Sequence, residues 1–137
     1  NKYTENELKN RIKNNAFFYV AEDKAKIIGF ISAYKDDLLK KLDFSNDEIV
    51  QHILKKDGPF IYWDQIIIAK EYQNKRIGKM LLRQLIKDSE DYAIYGPISH
   101  YPHRNAISIK LLTSFGFSLL EEINVYNGLK FGIYVYR

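Results

Sequence analysis

The sequence predicts an α/β domain in which helices cover both faces of a mixed sheet. Segments with strand-like composition alternate along the chain with segments of helical period, and strand–helix–strand units over residues 60–98 imply a parallel crossover. Near the end of the chain, Asn127-Gly128 separates two further strand-like segments and predicts an antiparallel hairpin.

Composition supports a single folded domain and excludes several classes of protein. A chain of 137 residues suits one hydrophobic core, and its 46% hydrophobic and 15% aromatic content is too high for disorder. Without Cys, the chain has no disulfide, no thiolate nucleophile and no zinc site with sulfur ligands. It lacks a membrane-spanning apolar run and an apolar signal segment, which predicts a soluble, cytoplasmic protein. Asn1 in place of Met indicates a processed chain or a fragment.

The first segments are predicted to form a helix and a hairpin. Residues Thr4 to Glu7 have the form of a capping box, so a short amphipathic helix should run to about Asn15. Phe17–Ala21 and Lys26–Tyr34 then predict two strands joined by a tight turn.

The central segments predict a helix, a strand and a further helix. Ser45–Glu48 is a second capping box, and Gly58-Pro59 ends the helix that it opens. Phe60–Ala69 is rich in aromatic and β-branched residues, which predicts a central strand. From about Lys75 to Ser89, apolar residues recur at helical period with charges opposite, which predicts a helix packed on the sheet.

The remaining segments complete the sheet. Tyr92–Ile98 predicts a short strand, and Asn105–Phe115 predicts a helix with Gly116 at its C′ position. Ser118–Tyr126 and Leu129–Tyr136 are the strands of the terminal hairpin.

The positive charge of the chain is concentrated in one segment. Between Lys70 and Lys87 lie six basic residues and one acidic residue, whereas the whole chain has a net charge of +4. This segment follows a strand and opens a helix, where backbone N–H groups and the helix dipole favour an anion such as a pyrophosphate. Gly78 would let the ligand approach the backbone closely. The alternative is a solvated basic helix face.

Two short motifs on these elements resemble the GNAT superfamily of acetyl-CoA-dependent N-acetyltransferases. Gln73 and Gly78 match its phosphate-binding loop. Asn105, Ser108 and Gly116-Phe117 match its later Asn-x-x-Ala/Ser and Gly-Phe segment. The resemblance covers nearly the whole chain.

The resemblance implies a GNAT-type three-layer α/β/α sandwich whose mixed, mostly antiparallel central sheet is splayed at the acetyl-CoA site. A single N-acetyltransferase domain would cover residues 1–137, and the first strand common in the family is not visible before Thr4. The implied reaction transfers an acetyl group from acetyl-CoA, as co-substrate, to the primary amine of a small molecule or peptide. The amine would attack directly in a ternary complex, since no Cys is present to form an acyl-enzyme.

Other functions compete with this one. A catalytically inactive GNAT-like domain would bind CoA or a protein partner, and a small basic nucleic-acid module is the third alternative. The modest net charge disfavours nucleic acid, and we expect no membrane partner, no metal, and a monomer or homodimer. The segment His100-Tyr101-Pro102-His103 invites a metal interpretation, but its proline prevents a regular helical pair and no third ligand is evident.

The resemblance also implies which residues bind acetyl-CoA. Main-chain groups of Ile66 and Ile68 would pair with the pantetheine and the acetyl carbonyl, while core packing is the alternative role of these residues. Asn105 would contact the pantetheine arm, and its alternative role is a helix N-cap. The implied cofactor-binding residues are Ile66, Ile67, Ile68, Gln73, Asn74, Lys75, Arg76, Ile77, Gly78, Lys79, Asn105 and Ser108.

The chain departs from the family pattern at two positions. Arg76 stands at the first loop glycine, so either its backbone adopts a conformation that a side chain tolerates or its guanidinium contacts phosphate. Leu112 stands where many members carry the tyrosine that protonates the departing thiolate, so that acid cannot be carried over.

Asp64 is the candidate catalytic base. Period-two alternation predicts that it shares a strand face with Ile66 and Ile68. Its carboxylate could take a proton from the substrate ammonium, because an amine must be neutral to attack. A structural carboxylate is the alternative.

The candidate catalytic acids are Tyr101 and His100, with His103 beside them. All three are predicted in the loop after the Tyr92–Ile98 strand, near the expected thiolate. Plain surface groups are the alternative, and solvent or the departing ammonium could protonate the thiolate instead.

The acceptor side is less defined by the sequence. Tyr34, Tyr62 and Trp63 are candidates to line the acceptor pocket or to fill the core. The segment between Tyr34 and Phe60 would favour a cationic acceptor through its acidic residues, which are Asp36, Asp37, Asp43, Asp47 and Glu48.

Overall fold

The computed structural model describes residues 16–137, and the helix predicted to end near Asn15 lies outside them. The strands are β1 (Ala16–Asp23), β2 (Lys26–Lys35), β3 (Phe60–Ile68), β4 (Ala93–Tyr101), β5 (Ser118–Val125) and β6 (Leu129–Tyr136). The helices are α1 (Asp36–Lys41), α2 (Glu48–Ile53), α3 (Ile77–Asp88) and α4 (Ala106–Ser114), with a 3₁₀ turn at Lys70–Tyr72. No helix within this part of the chain is long and apolar enough to cross a bilayer.

The strands form one mixed sheet in the order β1-β2-β3-β4-β6-β5. Only β3 and β4 pair in parallel among the described strands, and the other four neighbouring pairs are antiparallel. The chain crosses from β3 to β4 through α3, as the strand–helix–strand pattern predicts. The predicted mixed, mostly antiparallel sheet is therefore confirmed.

Apolar side chains pack on both faces of this sheet. On one face, residues of α3 and α4 such as Leu81 and Leu112 pack against Ile61 and Trp63. On the other face, α1 and α2 contribute Leu39, Ile49, Val50 and Ile53, which pack with Phe60 and Tyr62. Adjacent residues of β3 thus enter opposite cores, because strand side chains alternate between faces. The predicted three-layer sandwich is confirmed.

The segment between β2 and β3 differs from its prediction. Helix α2 is capped by Asp47, whose Oδ1 accepts a hydrogen bond from Val50 N at 3.0 Å. Ser45, the predicted cap, instead donates from its hydroxyl to Asp43 Oδ1 at 2.9 Å. Helix α1 was not predicted from the sequence; it has six residues, with two acidic residues in its first turn and two lysines in its last.

Strand β4 is longer than predicted, which corrects the placement of two candidate acids. It pairs with β6 as far as Tyr101↔Lys130, so His100 and Tyr101 lie on the strand and not in the following loop. Pro97 does not end the strand. It has no N–H group to donate, but β4 no longer pairs with β3 at this position, so no ladder hydrogen bond to β3 is lost.

Candidate active site

Strands β3 and β4 separate partway along their length and leave an opening between them. Their parallel pairing ends at Tyr62↔Tyr95. Strand β3 continues to Ile68 beside β2, with no partner on its other side among the described residues. The predicted splay of the sheet is therefore present.

Main-chain groups of Ile66 and Ile68 face this opening. Ala69 N donates to Ile28 O on β2 at 2.8 Å. Because hydrogen-bonded pairs alternate along an antiparallel ladder, Ile67 also bonds β2, and the residues on either side of it direct their N–H and C=O groups away from β2. Consistent with this direction, Ile68 O accepts a hydrogen bond from Gln73 Nε2 at 3.3 Å.

The turn before α3 presents a set of backbone N–H groups. Asn74 and Arg76 have positive φ values of 64° and 66°, and Arg76 directly precedes the helix. A left-handed residue followed by a helical one forms a concave nest of N–H groups that binds anions. The side chain of Arg76, the N-cap residue, makes no capping hydrogen bond within the described part of the chain, and the first helical hydrogen bond is donated by Met80 N to Arg76 O. The N–H groups of residues 77–79 therefore have no intrahelical acceptor.

A groove of about 690 Å³ joins the opening in the sheet to this turn. That volume lies in the range typical of cofactor sites. Its lining includes Ile66, Ile68, Gln73, Asn74, Arg76, Ile77, Gly78, Lys79, Asn105 and Ser108, which the sequence analysis selected. Five further lining residues were not predicted from the sequence, namely Tyr72, Ile107, Lys110, Leu111 and Ser114.

Two selected residues do not line the groove. The main chain of Ile67 bonds β2, and its side chain is 48% exposed. The Lys75 ammonium lies 5.7 Å from the centre of the Tyr72 ring. The groove-lining residues of α4 that were not predicted lie at helical spacing from Asn105 and Ser108. The helical period of the sequence could therefore have identified them.

Asn105 has one of its two predicted roles, that of a helix N-cap, and it also lines the groove. Its Oδ1 accepts a hydrogen bond from Ser108 N at 3.1 Å, which makes it the N-cap of α4. Both residues also line the groove. The cap therefore fixes the end of α4 that borders the candidate ligand site.

Arg76 occupies a left-handed position that glycine adopts at lower cost. We expect Arg76→Gly to change the free energy of unfolding by less than about 1 kcal/mol, since relief of backbone strain is offset by the larger entropy of the unfolded chain. Acetyl-CoA affinity, measured by isothermal titration, should stay similar or increase if backbone N–H groups alone bind phosphate. Marked weakening would show instead that the guanidinium binds it.

Asp64 lies on the face of the sheet opposite to the groove, so its predicted face was wrong. The pairs Ser32↔Gln65 and Ala33↔Trp63 leave Asp64 unpaired, which makes it a β-bulge. The extra residue breaks the alternation, so Trp63 and Ile66 both pack on the α3 and α4 side. Local alternation could not reveal this bulge, because it is defined by the pairing with β2.

The surroundings of Asp64 are acidic and aromatic. Burial and, secondarily, the charge of Asp47 raise the pKa of the half-buried Asp64 carboxyl. Tyr34 and Tyr62 face each other across β2 and β3, and burial followed by the charge of Asp64 raises the pKa of both phenols. Asp47 also accepts a hydrogen bond from Tyr126 Oη at 2.9 Å. The terminal hairpin, the N-cap of α2, β2 and β3 thus place two carboxylates near three tyrosines.

His100 is held inside the protein between two partners. Its Nδ1 lies 2.7 Å from Glu122 Oε2, and its Nε2 lies 2.8 Å from Tyr134 Oη. Gly132 leaves space for this arrangement, because a Cβ there would overlap the His100 ring. His100 is 9% exposed and Tyr101 is 56% exposed, and neither lines the groove. Leu112, at the position of the family tyrosine, is fully buried.

The space at Gly132 predicts a stability effect. We expect Gly132→Ala to lower the free energy of unfolding by about 1–3 kcal/mol, because the His100 ring is held at both nitrogens and cannot move away freely. Denaturant unfolding measures this change. A variant as stable as the parent chain would contradict the packing of His100 over Gly132.

Comparison with known proteins identifies the family. The family model described as acetyltransferase (GNAT) family matches residues 1–117. The chain belongs to the GNAT acetyltransferase family. No curated protein sequence matches the chain.

Solved structures of N-acetyltransferases share the fold of this GNAT chain. NAA60 of Arabidopsis thaliana, solved with acetyl-CoA, is 16% identical with a TM-score of 0.65, and the match covers 98% of this chain and 84% of that one. The same plant protein solved with a bisubstrate analogue gives 17% identity and a TM-score of 0.62 over 90% and 75% of the two chains. An N-acetyltransferase from Staphylococcus aureus Mu50 gives 21% and 0.66 over 87% and 69%. At these identities the likeness concerns the fold.

Proposed function

We propose that this GNAT-family chain transfers an acetyl group from acetyl-CoA to a primary amine that attacks the thioester directly. The observation that carries the proposal is the groove, in which main-chain groups of β3 that do not bond β2 lie at one end and the N–H groups of residues 77–79 at the other. A thioester arm fits the first set, and a pyrophosphate fits the second. The solved NAA60 structure with acetyl-CoA supports this choice of ligand.

Charge in the groove also suits a CoA ligand. Arg76, Lys79 and Lys110 line it, and no acidic residue does so among the described ones. Lys110 comes from α4, opposite the basic segment that the sequence analysis identified. Lys79 of α3 and Lys110 of α4 would therefore face the phosphate groups from two elements and stabilise them through charge-assisted hydrogen bonds.

The acceptor amine would approach from the other face of β3, where Asp64 lies beside Tyr34 and Tyr62. The Asp64 carboxylate takes a proton from the incoming ammonium, and the neutral amine then attacks the thioester carbonyl carbon. A raised pKa makes this carboxylate a better proton acceptor than an ordinary one. The acceptor is the amine of a small molecule or peptide, and the two carboxylates favour one that carries positive charge.

The tetrahedral intermediate would collapse with release of the CoA thiolate. Free N–H groups of β3 stabilise the oxyanion before collapse. The thiolate then receives a proton from solvent or from the departing ammonium. Two side chains are the alternative proton donors to the thiolate. Tyr101 is exposed at the end of β4, and His100 would pass a proton through Tyr134, to which it is hydrogen-bonded.

Amine-dependent thiol release tests this function. The purified chain is incubated with acetyl-CoA and a panel of small monoamines, diamines and short peptides with free α-amines, and each is compared with a reaction lacking amine. We expect release of CoA above the amine-free rate for at least one class, together with mass-spectrometric detection of the acetylated amine. Binding of acetyl-CoA without turnover for every class would favour the inactive GNAT-like domain instead.

A further inference from the structure

Trp63 carries a buried N–H group without a partner. Its side chain is 3% exposed, and its Nε1 is the one buried side-chain nitrogen or oxygen in residues 16–137 that makes no hydrogen bond. Buried polar groups are nearly always hydrogen-bonded in native proteins. The indole N–H therefore marks a place where a ligand or a bound water is expected to accept a hydrogen bond.

The indole lies where β3 and β4 separate. Trp63 is the first residue of β3 beyond the last parallel pair, Tyr62↔Tyr95. A Cβ on Gly96 of β4 would overlap Cε3 and Cζ3 of the indole. The six-membered ring thus rests on Gly96, and Nε1 lies on the opposite edge of the indole, away from that backbone.

The indole also lies on the same face of β3 as the groove. Trp63 packs in the cluster that contains Ile77, and Ile66 and Ile68 pack against that cluster. The last three of these residues line the groove. Because Asp64 is a bulge, the side chain that precedes Ile66 on this face is Trp63. The indole itself does not line the groove; it lies buried behind the Ile66 end, at the point where β3 and β4 separate.

We propose that Trp63 closes the acyl end of the acetyl-CoA groove and that its N–H donates a hydrogen bond to the thioester carbonyl oxygen. This inference rests on the proposed acetyl transfer. The carbonyl oxygen gains negative charge when the amine attacks, so a preorganised donor in a buried site accelerates that step. The ring also fills the space beyond the acetyl methyl, which selects acetyl over longer acyl groups.

Intrinsic fluorescence tests the position of Trp63, because the chain contains one tryptophan. Emission is recorded during titration with acetyl-CoA and with CoA, and isothermal titration of both ligands runs in parallel. We expect acetyl-CoA to change the emission and CoA to change it much less. Equal responses to the two ligands, or none despite calorimetric binding, would overturn the proposal while leaving acetyl-CoA binding intact. Absence of calorimetric binding by the folded chain would remove the proposed function and this inference together.

Two substitutions separate the hydrogen-bonding role of the Trp63 N–H from the steric role of the Trp63 ring. Trp63→Phe keeps an aromatic ring and removes the N–H, so kcat with acetyl-CoA should fall about tenfold while the Kd for CoA stays within about twofold. Trp63→Leu leaves space, so the kcat/KM ratio of butyryl-CoA to acetyl-CoA should rise. Circular dichroism checks that both variants are folded. An unchanged kcat in the first variant and an unchanged ratio in the second would overturn the proposal.

Discussion

Asp64→Asn is expected to lower kcat by about 10²- to 10⁴-fold at neutral pH, because an amide cannot accept the proton of the incoming ammonium. The Kd for acetyl-CoA should not change, since Asp64 is a bulge residue on the face of β3 opposite to the groove. Thiol release and isothermal titration measure the two quantities. Retained kcat would exclude Asp64 as the base.

The pH dependence of the reaction follows from the same group. Burial, with a smaller effect of Asp47, raises the pKa of Asp64, and only the ionised carboxylate accepts a proton. The acid limb of kcat/KM should therefore lie at higher pH than an ordinary aspartate would give. Asp47→Asn is a matched variant, because asparagine caps a helix about as well as aspartate and removes the charge. It should move this limb to lower pH.

Asp64→Asn should raise the stability of the fold at neutral pH, although it lowers the activity. Its pKa is higher in the folded chain than in the unfolded chain, so its stabilising contribution is fully present below the unfolded pKa and is lost as the pH rises through the folded pKa. The ionised carboxylate thus destabilises the fold at neutral pH. We expect Asp64→Asn to raise the Tm at pH 7, with a smaller gain in acid. A lower Tm at pH 7 would indicate a structural carboxylate.

Gly78→Ala is expected to weaken acetyl-CoA binding by at least about tenfold without loss of stability. A Cβ at this position would lie 3.5 Å from Leu111 Cδ2 and 3.6 Å from Ile66 Cδ1, which are ordinary contacts. Both neighbours line the groove, so the added methyl occupies ligand space beside a backbone N–H. Alanine in a helix also stabilises it by up to about 1 kcal/mol relative to glycine.

Calorimetry with acetyl-CoA and thermal unfolding of the same Gly78→Ala preparation measure these two effects. The parent chain is the control for both, and Gly132→Ala is the contrasting glycine variant, because its Cβ would overlap the His100 ring whereas a Cβ at Gly78 makes only ordinary contacts. Unchanged affinity in a folded Gly78→Ala variant would show that the ligand does not approach the start of α3.

The strand and helix order was readable from the sequence because most elements carry a local pattern. The aromatic and β-branched composition of β3, the helical period of α3 and the Asn127-Gly128 turn each act within a few residues. The short helix α1 was missed because its six residues are too few to show a period. The start of α2 was misplaced because Ser45 and Asp47 are both good caps, and tertiary packing decides between them.

The turn before α3, which we propose binds phosphate, was also predictable, since its charge and Gly78 lie within one segment. The Asp64 bulge and the burial of His100 were not. The first depends on how β3 pairs with β2, and the second on Gly132, a glycine that is 32 positions later in the chain. Single-sequence patterns carry no information about such distant partners.

The central claim is that the groove binds acetyl-CoA, and isothermal titration of the folded parent chain tests it most directly. We expect micromolar binding of acetyl-CoA. We also expect weaker binding of CoA that lacks its 3′-phosphate, because Arg76, Lys79 and Lys110 line the groove. No detectable binding by a chain shown to be folded would contradict the claim and favour a domain that binds a protein partner.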